Sequence, residues 1–189
     1  REQHIRREKA TSNICTAQAL LSIMAGMYGV YHGPKGLQYI AKKVHASAAT
    51  LANELEKIGL YQTNTAYFDT IVVKTDAKKV RPVAEQNEIN FNYIDDQTVS
   101  ISLNETTSIK DLNDIVSVFA SAHGKTFTAF DALVDSIHFP KNLERTSAFL
   151  EHEVFNYHHS ETALMRYIKM LERKDLSLNH SMISLGSCT

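Results

Sequence analysis

Apolar residues with helical spacing fill the first third of the chain, in two stretches. The first, over 14–31, carries no charge and follows a run of residues favoured at helix N-caps, namely Thr11, Ser12 and Asn13. Gly33 and Pro34 interrupt the pattern, and apolar residues then recur at every third or fourth position. We therefore predict helices over 14–31 and 34–58, and expect the first to be covered on several sides because it is apolar nearly all round.

Apolar and polar residues alternate in the middle of the chain, as is typical of half-buried strands. Asp76 can cap a following helix, and Ser108 with Asp111 resembles a capping box. The pattern predicts strands over 68–74, 89–93 and 98–103, and helices over 77–87 and 108–123. This order predicts an α+β fold, within the broad α/β class, in which helices pack on one face of a small, mainly antiparallel sheet.

The pattern weakens in the last third of the chain. Aromatic residues are scattered over 125–157 without a regular period, which indicates an extended connector lying on another surface. Ser160 can cap a short helix, and the residues after Lys174 have no period and predict loop or short strand. We therefore divide the chain into 1–124 and 125–189.

The composition is that of a globular protein, since 43% of the 189 residues are hydrophobic and 22% are charged. The net charge of -1 gives no field that would attract nucleic acid. The uncharged stretch over 14–31 approaches the ~17–25 residues that span a membrane, but its polar and glycine residues favour a helix buried in a protein interface. Cys15 and Cys188 are too few for a disulfide framework and indicate a reducing interior. We expect neither nucleic acid nor a membrane as partner.

Several local clusters have candidate chemistry, and each has a simpler interpretation. The basic opening of the chain favours a solvated helical face over an anion site. The histidines and glutamates around His158 match no metal-ligand spacing, so we favour a packed or exposed group. Cys15 stands at a predicted helix start, where a thiolate is favoured; we prefer a small buried residue to a catalytic thiol and leave a redox role open. The sequence begins and ends inside motif-like segments, so we expect the chain to be a piece of a larger protein.

Four segments together resemble the glycine cleavage system P-protein family of pyridoxal-phosphate enzymes. The resemblance is carried by Arg-Glu-Gln-His-Ile-Arg-Arg-Glu-Lys-Ala-Thr-Ser-Asn-Ile-Cys-Thr-Ala-Gln at the start and by the runs Tyr-Gly-Val-Tyr-His-Gly-Pro over 28–34, Phe-Asn-Tyr-His-His-Ser-Glu-Thr over 155–162 and Asp-Leu-Ser-Leu-Asn-His-Ser-Met over 175–182. It covers essentially the whole chain, less closely around 60–105 and 125–150. The family usually has proline where Ser184 stands and a His-Pro pair near His152, so the family's local turn geometry is not carried over to these two places.

Proteins of that family are tandems of two related halves, each resembling a fold-type I pyridoxal-phosphate enzyme. The resemblance implies that 1–124 is the small C-terminal subdomain of the first half, and that 125–189 is the crossover and the start of the second half. It implies a parent protein that decarboxylates glycine and transfers the aminomethyl group to the lipoamide of H-protein. The implied partners are glycine, lipoylated H-protein and the other half of the same chain, with a homodimer left open. The implied compartment is cytoplasmic in a bacterium and mitochondrial in a eukaryote, and we favour the bacterial cytoplasm.

The resemblance also implies where this chain meets the active site. The family's cofactor lysine follows a histidine, and this chain contains no His-Lys pair. We therefore expect the chain alone to contain no catalytic residue, to bind no pyridoxal phosphate and no metal, and to be inactive. The residues expected to line the cleft are Arg7, Thr11, Ser12, Asn13 and Cys15. Those expected in the cofactor pocket of the second half are Ser187, Cys188 and Thr189.

Two other interpretations stay open at this point. The order of elements also suits the small domain of another fold-type I pyridoxal-phosphate enzyme, such as a decarboxylase or transaminase. A non-catalytic interaction or scaffold module would instead use the apolar helix over 14–31 as its partner-binding face.

Overall fold

The computed structural model describes residues 17–135, 139–174, 177, 179 and 180. The described residues up to Leu37 and from Ser147 onward form one compact unit, and Gln38 to Thr146 form another. The helices are α1 (Ala17–Lys57), α2 (Ala77–Gln86), α3 (Ile109–Ala122) and α4 (Glu161–Glu172). The strands are β1 (Thr70–Lys74), β2 (Asn92–Asp95) and β3 (Thr98–Ser102), and short 3-10 turns lie at Lys141–Leu143 and Glu153–Phe155.

The unit from Gln38 to Thr146 is built on a three-stranded antiparallel sheet with strand order β1-β3-β2. Val73 pairs with Val99 and Ile71 pairs with Ile101, so these four side chains lie on the same face of the sheet. All four are buried in the hydrophobic core with residues of α1, α2 and α3. The α+β fold class predicted from the sequence is therefore confirmed.

The helices that cover the sheet begin at caps that the sequence predicts. The Asp76 side chain accepts a hydrogen bond from the backbone N–H of Lys78 at the start of α2. Ser108 and Asp111 form a reciprocal capping box at the start of α3. The ring of Phe119, on α3, is fully buried and lies 5.3 Å from the ring of Phe91, which precedes β2.

The break between the first two predicted helices is real but short. Helical structure runs from Ala17 to Lys57 with one non-helical residue, Gly33, at φ 60° and ψ -177°. Pro34 follows it and has no N–H to offer the preceding turn. Gly33 is buried, so the break lies within packed structure.

The expectation that the first helix is covered on several sides is wrong for the described chain. Leu20, Leu21 and Met24 are 56%, 63% and 58% exposed. The apolar pattern of a helix shows which of its side chains favour burial. It does not show whether another part of the structure covers them.

The remaining differences concern the second strand and the connector. β2 covers Asn92–Asp95 rather than 89–93, because it is an edge strand that pairs only with β3 and its register is irregular after Tyr93. The start of the predicted connector packs on the core of its own unit through Phe127, Phe130 and Leu133. The division of the chain into 1–124 and 125–189 stays a prediction.

Candidate functional site

The residues predicted to line the cleft and the cofactor pocket lie outside the part of the chain that the structure describes. The first group precedes Ala17, where the described chain begins: Arg7, Thr11, Ser12, Asn13 and Cys15. The second group follows the last described residue, His180: Ser187, Cys188 and Thr189. Their roles therefore stay predictions.

Two of the family-like segments, 28–34 and 155–162, meet at the break in α1. The Nδ1 of His159 donates a hydrogen bond to the backbone carbonyl of Tyr31 at 2.7 Å, because a carbonyl oxygen can only accept. A Cβ at Gly33 would lie 2.5 Å from the carbonyl oxygen of Phe155 and 2.5 Å from Cε1 of the His159 ring. We call this contact of Tyr31, Gly33, Phe155 and His159 the α1 joint.

The histidines near the joint have separate partners. His152 Nδ1 accepts from the backbone N–H of Val154 at 3.2 Å and so caps the short turn that follows. The ring of His158 stacks on Tyr167 of α4 at 4.2 Å, with 17° between the planes. Among the described residues, no group of three or more histidine, cysteine or acidic side chains is arranged to hold a metal ion.

A buried histidine lies in the other unit, where spacing along the chain gives no signal for it. His45 is 5% exposed, and its Nδ1 donates to the backbone carbonyl of Phe68 at 2.9 Å. Its ring is parallel to that of Phe68 at 5.8 Å and meets the edge of Phe139 at 5.4 Å. This hydrogen bond and the surrounding aromatic rings fix the orientation of the His45 ring.

A second polar pair links the end of β1 to the end of α3. Thr75 Oγ1 and His123 Nε2 share a hydrogen bond of 2.7 Å, and Thr75 is buried. Burial lowers the pKa of His123 first, and the positive charges of Lys79 and Lys125 lower it further, while Asp76 opposes the change. The neutral imidazole is therefore favoured in the folded chain.

Lysines that border the surface cavities of the described residues do not fit a pyridoxal-phosphate site. Lys78 borders a cavity of about 460 Å³, but its ammonium lies 2.6 Å from the Asp96 carboxylate and both side chains are exposed. The hydrogen bond and charge of Asp96 raise the pKa of Lys78, which favours the ammonium over the nucleophilic amine. In another cavity Lys125 donates to the carbonyl of Ile58, and Lys57 is paired with Glu54 at 2.6 Å.

The described part of the chain contains no helix that is both long enough and apolar enough to cross a membrane. The described helices and small antiparallel sheet define the class of protein as α+β, consistent with the small subdomain of a pyridoxal-phosphate enzyme.

Comparison with known proteins then identifies the family. Residues 1–119 match the family model of the glycine cleavage system P-protein. The whole chain is 68% identical to a glycine dehydrogenase (decarboxylating) of Flavobacterium johnsoniae, 62% identical to one of Christiangramia forsetii and 49% identical to one of Bacteroides thetaiotaomicron. It spans 20% of the length of each of these relatives. The chain belongs to the glycine cleavage system P-protein family, and the resemblance seen in its sequence is confirmed.

Proposed function

We propose that this chain is part of a longer, pyridoxal-phosphate-dependent glycine dehydrogenase (decarboxylating). The observation that carries the proposal is the identity of 68% over the whole chain to a protein of that name. The same observation favours this family over the small domain of another fold-type I enzyme. The alternative of a scaffold module draws its support from the exposed apolar side chains of α1, which a larger enzyme would also need to cover.

The proposed reaction removes the carboxyl group of glycine as carbon dioxide and passes the aminomethyl group to the lipoyl arm of H-protein. Pyridoxal phosphate, when bound, supplies an electron sink for the pair left by the departing carboxylate. Lys57, Lys78 and Lys125 do not fit its site, and the sequence lacks a His-Lys pair, so we assign the anchoring lysine to a part of the protein outside this chain. Glycine, lipoylated H-protein and the other half of the protein are the proposed partners.

This chain's own contribution is proposed to be one wall of the active site. Thr11, Ser12 and Asn13 precede the helix that the sequence predicts from residue 14, and the backbone N–H groups of a helix start favour an anion. That position suits a carboxylate of glycine or a phosphate of the cofactor. Ser187 and Thr189 add hydroxyl donors on the side of the second half. Because the named relatives are bacterial, we propose a cytoplasmic setting.

The proposal is tested in the full-length protein by the exchange of labelled bicarbonate into the carboxyl group of glycine. We expect Asn13→Ala and Thr189→Ala each to lower the rate by on the order of 10- to 100-fold, because each removes a donor close to the reacting groups. Lys174→Ala, at an exposed side chain after α4, is the control.

The outcomes separate the function from the two assignments. No exchange by the unsubstituted protein, under conditions where it carries pyridoxal phosphate and is folded, would overturn the function. Normal exchange by both variants would overturn the placement of Asn13 and Thr189 and leave the function standing. For the chain alone, we expect borohydride treatment with pyridoxal phosphate to label no specific lysine.

A further inference from the structure

We propose that His159 is a positioning residue: by holding the α1 joint, it sets where the start of α1 lies in the active site. This inference rests on the proposed function, because it assigns a catalytic consequence to a contact that touches neither substrate nor cofactor. Sequence spacing could not indicate it, since His159 and Tyr31 are 128 residues apart along the chain.

The break at Gly33 creates the need for an outside hydrogen-bond donor. Gly33 leaves the helical conformation, and Pro34 lacks the N–H that a continuous helix would direct to the carbonyl of Val30. His159 Nδ1 supplies a donor to the carbonyl of Tyr31 at 2.7 Å. The contact therefore gives the carbonyl of Tyr31 a hydrogen bond from outside α1, two residues before Gly33, where the backbone leaves the helical conformation.

The joint is tight as well as hydrogen-bonded. Gly33 has a backbone conformation that is essentially restricted to glycine, and the ring of His159 and the carbonyl of Phe155 occupy the space where a side chain would begin. On the neighbouring turn, the His32 ring lies 4.3 Å from Tyr28 and 5.1 Å from Tyr31. Close packing of this kind allows few alternative angles at the break.

A small change of angle at the joint moves the start of the helix by a distance that matters for catalysis. Ala17 to His32 is a helical segment of about 23 Å at ~1.5 Å per residue. A tilt of about 2–3° about Gly33 therefore shifts its first turn by about 1 Å. The predicted cleft residues Asn13 and Cys15 precede Ala17 by four and two residues in the sequence. Misplacement by ~1 Å lowers rates by up to about 100-fold in enzymes.

The test compares three substitutions in the full-length protein. Asparagine places an amide N–H near the position of His Nδ1, whereas glutamine places its amide near Nε2 and alanine has no donor. We expect His159→Ala and His159→Gln to lower kcat for glycine–bicarbonate exchange by about 10-fold or more, with KM for glycine changed less than about threefold. We expect His159→Asn to recover most of the lost kcat. Lys174→Ala is again the exposed control.

A second measurement does not depend on activity. Hydrogen–deuterium exchange of peptides covering 28–36 should accelerate in His159→Ala and His159→Gln and stay close to the unsubstituted protein in His159→Asn. The proposal is overturned if all three variants keep the kcat of the unsubstituted protein, or if all three lose kcat to the same extent. If the unsubstituted protein fails to exchange bicarbonate, the proposed function fails, and the exchange of the 28–36 peptides still decides whether His159 holds the joint.

Discussion

Replacing Gly33 by alanine is the sharpest test of the α1 joint, because a single methyl group meets three separate obstacles. The backbone has φ 60° and ψ -177°, a conformation that side-chain-bearing residues rarely adopt. The new Cβ would lie 2.5 Å from the Phe155 carbonyl oxygen and 2.5 Å from His159 Cε1. The Phe155 carbonyl belongs to the backbone, so a change of side-chain rotamer cannot relieve the clash with it.

The size of the effect follows from these obstacles. A non-glycine residue in this backbone region costs about 1–3 kcal/mol. The close contacts of the new Cβ with Phe155 and His159 add about 1–3 kcal/mol. We therefore expect Gly33→Ala to reduce the free energy of opening the joint by about 2–6 kcal/mol. Because about 1.4 kcal/mol is a factor of ten, the opening constant should rise by at least about 30-fold.

Hydrogen–deuterium exchange of peptides over 28–36 in the full-length protein measures that opening constant where exchange is limited by the opening equilibrium. Gly26→Ala is the matched control, since Gly26 lies on the same helix and its surroundings leave the position of a Cβ clear of other atoms to 4 Å. Alanine there should stabilise the helix by about 0.5–1 kcal/mol. The two substitutions add the same atom to the same helix and should have opposite effects.

A tight joint at Gly33 is refuted if the peptides over 28–36 exchange at the same rate in Gly33→Ala as in the unsubstituted protein. It is also refuted if Gly26→Ala accelerates their exchange as much as Gly33→Ala does. That second result would mean that any added methyl group disturbs α1 and that the joint has no special role.

Three further predictions concern the unit that holds the sheet, each measured by urea unfolding. Ser108→Ala should lower the free energy of unfolding by about 1 kcal/mol, because it removes the capping-box partner of Asp111. Phe119→Ala should lower it by about 3–5 kcal/mol, because the ring is fully buried. Since the folded pKa of His123 is lowered from 6.5, the unfolded chain binds the proton first as pH falls below 6.5, so stability should decline there and level off below the folded pKa. His123→Asn should remove that decline, and an unchanged pH profile in this variant would contradict the assignment.

Features that depend on neighbouring residues could be predicted from the sequence, whereas features that depend on distant partners could not. The caps at Asp76 and Ser108 and the break at Gly33 are local, so residue type alone indicates them. The bounds of β2 depend on which residues of β3 it faces, and alternation along the chain predicts its start three residues too early.

The connector shows the same limit. The backbone N–H and carbonyl of Phe130 are both bonded to the side chain of Asn113, and the N–H of Val134 is bonded to Thr50. Neither Asn113 nor Thr50 has a periodic signal that marks it as the partner of a later segment. An irregular segment with weak hydrophobic pattern can therefore lie firmly on its own unit, because its backbone groups find side-chain partners.

The α1 joint shows that a family resemblance and a functional contact are different things. Residues 28–34 and 155–162 resemble a family of enzymes, and the described contacts of Gly33 and His159 are with each other and with the backbone carbonyls of Phe155 and Tyr31. Packing can thus restrict the residue type at a position of such a segment as strictly as catalysis can. At Gly33 the restriction is the absence of a Cβ, and at His159 it is the position of one imidazole nitrogen. Resemblance alone does not distinguish these causes. Comparing His159→Asn with His159→Gln distinguishes them, since the two side chains both carry an amide and differ in where they place its N–H donor.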